Sequence, residues 1–266
     1  MKKLFLVCVC FCVLFCGCVS DELRSARAEF DLEVERIREE EACLREELKR
    51  AEEFLKVCGT PLYECVKDDL RSAIKEGYSS IVVVPERPGE LSDIVRVKEK
   101  ELVGISYVDV CERVKKAVLD LKVSEEQFRL LSNPSAEFVA ERLYRVRHVS
   151  GVEMACEEND PYGHLNKAGG YTGLVYFSSD LVDEGVLNGG SIIDVGTDCG
   201  GCIEIFSCVE DARRRNDYLS AFDGSIFDPG LHNVFGTLVV RVSALLPASV
   251  QSEFESDLVA SLSRLD

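Results

Sequence analysis

The chain has 266 residues and carries 31 lysines and arginines against 48 aspartates and glutamates, a net charge of −17. Such acidity repels nucleic acid and anionic head groups, so binding to either through a broad electrostatic face is excluded and no nucleic-acid partner is expected. The length exceeds what most single cores span, and two domains are expected.

Lys2 and Lys3 precede an apolar run from Leu4 to Phe15, shorter than the roughly 18 residues of a membrane span. Residues 1–17 therefore read as an export signal. Its end, Phe15-Cys16-Gly17-Cys18, resembles the lipobox of bacterial lipoproteins. That resemblance implies cleavage before Cys18, diacylglycerol and palmitate on that cysteine, and a chain held by its lipid on the extracytoplasmic face of the cell membrane. Loss of Lys2 and Lys3 takes the net charge to −19.

Five of the thirteen cysteines belong to the signal and anchor. The other eight are Cys43, Cys58, Cys65, Cys111, Cys156, Cys199, Cys202 and Cys208. An even number outside the cell permits disulfides, but spacing alone cannot choose among 105 connectivities.

From Asp21 to Val57, the residues Phe30, Val34, Ile37, Glu41, Leu44, Leu48, Ala51 and Leu55 alternate at steps of four and three. That heptad seam predicts one long helix over 18–57, ending at Cys58-Gly59-Thr60-Pro61. A homodimeric coiled coil through 21–57 and an intramolecular bundle both fit it, and Glu41 interrupts it. A second amphipathic helix, marked by Leu62, Val66, Leu70 and Ile74, is expected to stop at Gly77. A third helical region covers about 91–122 with a break at Gly104. Residues 58–131 thus complete a helical bundle.

After Ser132, Asn133-Pro134 predicts a helix start, and period-two segments follow near 149–157, 171–178, 202–208 and 235–243. Ser207 and Glu210 offer a capping box for a helix whose inward face carries Ala212, Leu219 and Phe222. A last helix begins near Ser249. The order α-β-β-β-α-β-α over 132–266 predicts an α+β domain: a two-layer sandwich, ferredoxin-like or split βαβ, with one sheet face covered. Leu238, Val240 and Val242 are expected to be buried together, with Arg241 pointing away.

The runs EENDPYGHLNKAGGYTGLVYFSSDLVD (157–183), GTDCGGCIEIF (196–206), VEDARRRNDYLSAFDG (209–224) and HNVFGTLVVRVSALL (232–246) resemble an uncharacterised family of Gram-positive surface lipoproteins and exported proteins. The helical region before them faintly resembles FIVAR-type three-helix modules. These resemblances imply location and architecture and supply no catalytic residues. In the family, cysteine around the Gly-Thr-Asp and Gly-Gly frame is a variable choice.

Cys199 and Cys202 form a C-x-x-C pair. A tetrahedral metal site needs two further donors that the local sequence lacks, and a redox pair belongs at a helix start rather than before a strand. A local disulfide is the third reading, and buried thiols the bland one. Asp160, Asp194 and Asp198 supply hard oxygen donors suited to calcium, although turn-forming aspartates are commonly caps. Asp160, Asp194, Asp198, Gly200 and Gly201 are the candidate ligand-loop residues. Each of the three histidines beside a turn or helix end has a structural explanation, and Arg213, Arg214 and Arg215 read as a solvated face. The expectation is a lipid-anchored surface protein, a helical stalk bearing an α+β module, that binds a protein or cell-wall partner without catalysis. Its rivals are an enzyme or metal-binding protein built on the 157–170 and 194–202 loops, and a self-associating spacer.

Overall fold

The computed structural model describes the backbone from residue 2 and side-chain surroundings from residue 21. Cys18 and residues 1–17, the expected export signal, lie outside the residues whose surroundings are described. The chain divides into two units, residues 1–58 with 64–121, and residues 59–63 with 122–266.

In the first unit the elements are α1 (Lys2–Val57), α2 (Cys65–Ser80), α3 (Leu91–Val97), a π-helical turn (Lys98–Leu102) and α4 (Val108–Leu130), which runs on past residue 121. The heptad stripe of α1 is buried within the chain. Phe30, Ile37, Leu44 and Leu48 pack with Leu70 and Ile74 of α2, Ile94 of α3 and Val114 of α4. α2 does not stop at Gly77, because that glycine sits where Leu48 crosses. A Cβ there would lie 2.6 Å from a Leu48 methyl. At the interruption of the stripe Glu41 is half-buried and pairs with Arg45 at 2.8 Å, and it is joined there by the equally half-buried Glu40. The Glu40 carboxylate accepts from the Tyr107 backbone N–H (2.9 Å) and Ser106 Oγ (3.1 Å) at the start of α4, where unpaired amides and the helix dipole favour an anion. Burial raises the Glu40 pKa, but these donors and Arg36 more than offset it and leave it lowered.

The second unit contains α5 (Ala136–Leu143), β1 (Val149–Met154), β2 (Gly173–Ser179), α6 (Ile192–Val195), β3 (Gly200–Ile205), α7 (Val209–Ser220), β4 (Leu231–Phe235), β5 (Leu238–Val242) and α8 (Ala248–Leu262). The expected α+β class, with a helical N-terminal region, is what the chain adopts. The five strands lie in the order β1-β2-β3-β5-β4, and every neighbouring pair is antiparallel. This order, without a parallel pair, is distinct from the ferredoxin-like and split βαβ arrangements. The fifth strand arises because the apolar run around 231–243 folds back on itself at Gly236-Thr237.

Helices cover both sheet faces rather than one. On the first, Val175, Phe177, Ile203, Ile205, Leu238, Val240 and Val242 meet α5 and α8, with the Phe177 and Phe254 rings edge to face at 5.7 Å. On the second, Leu174, Tyr176, Cys202 and Val239 meet Ala212 and Leu219 of α7. Leu238, Val240 and Val242 do share a face and Arg241 does point away, but under α7 it is only 4 % exposed. Two predicted caps are also replaced. Ser135, not Asn133, caps α5 by accepting from Phe138 N–H at 3.2 Å, and α7 starts after Cys208 without the Ser207–Glu210 box.

Candidate functional site

Strand register assembles a polar row across the second face. Glu153, Tyr176, Cys202, Arg241 and His232 occupy paired positions on β1, β2, β3, β5 and β4 in turn. Two residues along β3 from Cys202, and so on the same face, Glu204 is fully buried. Arg215 of α7 grips it in a two-pronged pair, Nε to Oε2 at 2.8 Å and Nη2 to Oε1 at 2.9 Å. Arg241 Nη1 donates to Oε1 at 3.1 Å. Two guanidiniums thus share one carboxylate in a buried site, where charge-assisted bonds are strong and loss of any one partner leaves a charge uncompensated.

Burial disfavours both arginine charges, but Glu204 and their other neighbours more than offset this and leave both pKa values raised. Arg215 is also stacked against the rings of Tyr162 (5.6 Å) and Tyr218 (5.5 Å), a favourable use of a planar cation. Beside the pair, Tyr176 Oη and Arg241 Nε are buried without a hydrogen-bond partner among the described residues. At the end of the row, His232 Nδ1 lies 2.9 Å from Asn216 Oδ1 and its Nε2 lies 3.0 Å from Asp223 Oδ1.

Over this network α7 and the 164–171 loop enclose a cleft of about 420 Å³, lined by His164, Ala168–Tyr171, Phe206, Asp211, Arg214, Arg215 and Tyr218. The volume lies within the range of small-molecule sites. Tyr171 packs edge to face on Phe206 (6.2 Å) and His164 (6.4 Å), so the aromatic wall is pre-formed. Arg214 pairs with Asp211 at 2.8 Å, while Arg215 is held from behind by Glu204. The cleft therefore offers flat apolar surface beside one exposed and one locked guanidinium.

The residues singled out in the sequence do not converge. Asp160 organises its own loop, accepting from the N–H groups of Tyr162 (3.1 Å), His164 (2.7 Å) and Leu165 (2.8 Å) and from Tyr171 Oη (2.5 Å). Burial raises its pKa, but those four donors more than offset it and leave it lowered. The 157–170 loop enters β2 at Gly173, which pairs with Ile205. The 194–202 segment enters β3 at Gly200, which pairs with Ser178. The two loops consequently lie at opposite ends of the β2–β3 ladder, about 17 Å apart by strand rise. They do not form the one pocket that the enzymatic rival needed.

Asp194 and Asp198 are exposed. Gly200 and Gly201 are strand residues with no room for a side chain. A Cβ would come within 2.7 Å of the Phe177 carbonyl oxygen at the first and within 2.1 Å of the Arg241 carbonyl oxygen at the second. Cys199 and Cys202 are buried free thiols. Cys199 Sγ donates to the carbonyls of Gly196 (2.9 Å) and Phe177 (3.2 Å), whereas Cys202 points into the α7 core. Burial pushes Cys199 up to about 11 and Cys202 up to about 12. Among the described residues no group of three or more His, Cys, Asp or Glu side chains is placed to hold a metal, and no helix is long and apolar enough to cross a membrane.

Sequence reasoning missed Glu204, Arg215 and Arg241. Arg215 was legible in principle: it falls three residues after Ala212 and four before Leu219, on the inward stripe of α7. Glu204 shares the face of Cys202 and Phe206, so it faces α7 too. Compared with protein-family models, with curated proteins and with solved structures, the chain finds no match.

Proposed function

We propose that this chain is a lipid-anchored extracytoplasmic binding module: Cys18 carries the lipid, and the α+β unit takes a group of a protein or cell-wall partner in the α7 cleft without turning it over. The observation that carries this reading is the cleft itself, a pre-formed aromatic wall beside an arginine whose other side is fixed by a buried carboxylate. Rigid side chains held from behind lose little freedom when a ligand arrives, which favours recognition. The lipobox-like run Phe15–Cys18 and the resemblance of the runs within 157–246 to exported surface proteins support the location. An acidic chain gains nothing from contact with anionic head groups, so the lipid is its means of attachment.

Two measurements test the two halves. Cells expressing the wild type are expected to carry labelled palmitate on a membrane-bound chain, and Cys18→Ala to be unlabelled and soluble. Equal labelling and partition overturn the anchor. For the cleft, titration with small aromatic carboxylates is expected to shift backbone NMR signals of 168–171 and 211–218 together, and Ala168→Trp to abolish those shifts. Shifts scattered over the surface, or unchanged by Ala168→Trp, overturn the binding reading.

A further inference from the structure

We infer that Cys43 of α1 and Cys111 of α4 are a disulfide pair, a covalent cross-link within the helical unit. The register of the two helices carries the inference. Arg36 Nη2 donates to the Ile105 carbonyl at 2.8 Å, and Glu40 accepts from Ser106 and Tyr107. Contacts thus advance in the same direction on both segments, and α1 and α4 run side by side in parallel. One turn beyond Glu40 is Cys43, and one turn beyond Tyr107 is Cys111. Side chains three or four residues apart lie one above the other on a helix, so the contact at Glu40 and Tyr107 is followed by one between the two thiols. The two are free thiols in the structure, and they are near enough that burial and Cys43 together push the Cys111 thiol up. Ile37 and Tyr107 before the pair and Leu44 and Val114 after it lie in one core, so the segments are held together by burial on either side of the pair.

The surroundings set the order of events. Cys43 is exposed, whereas Cys111 is 5 % exposed, so a disulfide donor reaches Cys43 first. The charged groups facing the pair are the Lys115 ammonium, which favours the Cys111 thiolate, and the Glu47 carboxylate, which opposes it. The oxidant is a small or protein disulfide. The Cys43 thiolate attacks one donor sulfur, and the other leaves as a thiolate and takes a proton. Cys111 then gives up its proton and attacks Cys43 Sγ of the mixed disulfide, releasing the second donor sulfur. The two cysteines lose two electrons and two protons in all, and the donor gains them as two thiols.

The test uses the full chain, purified reduced, treated with oxidised glutathione, alkylated and mapped by mass spectrometry without reduction. The expected result is a Cys43–Cys111 peptide pair lighter by two hydrogens, with the loss of two free thiols per chain. Cys43→Ser, at an exposed position and checked for unchanged helicity, is expected to leave Cys111 alkylated or capped by glutathione and to form no cross-link. Recovery of wild-type Cys43 as a glutathione adduct or alkylated beside an unlinked Cys111, or its linkage to another cysteine, overturns the inference. The oxidant is supplied in the tube, so failure here is distinct from failure of the membrane reading.

Discussion

The two faces of the sheet bury comparable rows of side chains by different physics. Against α5 and α8 the row is aliphatic and aromatic throughout, from Val175 and Phe177 to Val240 and Val242. Against α7 it includes Tyr176, Cys202, Glu204, Arg241 and His232. An apolar face tolerates exchange of one hydrocarbon for another of like volume. A buried charge network does not tolerate loss of one member, yet its full replacement by apolar groups costs little. The first face supplies stability, and the second fixes one geometry behind the cleft.

The largest expected effect comes from breaking the network at its single anion. Glu204→Ala leaves two guanidiniums facing each other without a counter-charge and is expected to destabilise the chain by about 3–5 kcal/mol in urea unfolding. Replacing all three members together (Glu204→Met, Arg215→Met, Arg241→Met) is expected to restore most of that loss and to abolish aromatic carboxylate binding at the cleft. A triple variant as unstable as Glu204→Ala would show that the two faces do not differ in this way.

On the apolar face, Leu258→Ala removes a fully buried side chain and is expected to cost about 3 kcal/mol, with Leu258→Met costing less than about 1.5 kcal/mol. Neither change is expected to weaken binding at the cleft beyond the loss of folded protein. A selective loss of binding in Leu258→Met would show that this face also shapes the site.

Asp160 gives a smaller effect with a defined pH sign. Its folded pKa is lowered by Tyr171 and three backbone donors acting against burial. Its contribution is therefore present above the unfolded value of about 3.9 and lost as pH falls through the lower folded value. Asp160→Asn is expected to cost about 1–2 kcal/mol at neutral pH and to flatten the acid limb of the stability curve. An unchanged acid limb would remove Asp160 from the support of the Tyr171 wall.

How much of this was legible follows from what periodicity can report. The α1 stripe was readable because period 3.6 survives over many turns, and the Leu238-Val240-Val242 face because period two does. Apolar alternation reports the first face of a sheet only. Where Glu204 and Arg241 lie under a helix, the second face reads as solvent-facing, although Arg215 on the inward stripe of α7 was a clue that something covered it. Glu40 was hidden for a related reason: its partner, the start of α4, lies 67 residues away, and no local pattern encodes that contact. The loops around Asp160 and Asp198 looked like one site because both are acidic and glycine-bearing, whereas antiparallel pairing of β2 with β3 sends them to opposite ends.

The smallest perturbation concerns Cys199 and Cys202. With burial holding their pKa values at about 11 and about 12, the thiolate fraction at pH 8 is on the order of one in a thousand or less, and access adds a further barrier. In the native reduced chain both are expected to react with iodoacetamide at least about 100-fold more slowly than the exposed Cys65 and Cys156, with all four alike in denaturant. Comparable native rates would place the C-x-x-C pair in a reactive setting. Slow rates leave Gly200 and Gly201 as the indispensable residues of the segment, because a side chain there meets the backbone of β2 or β5. Cys202→Ala is accordingly expected to fold, and Gly201→Ala to lose the β3–β5 pairing that holds Arg241 beneath α7.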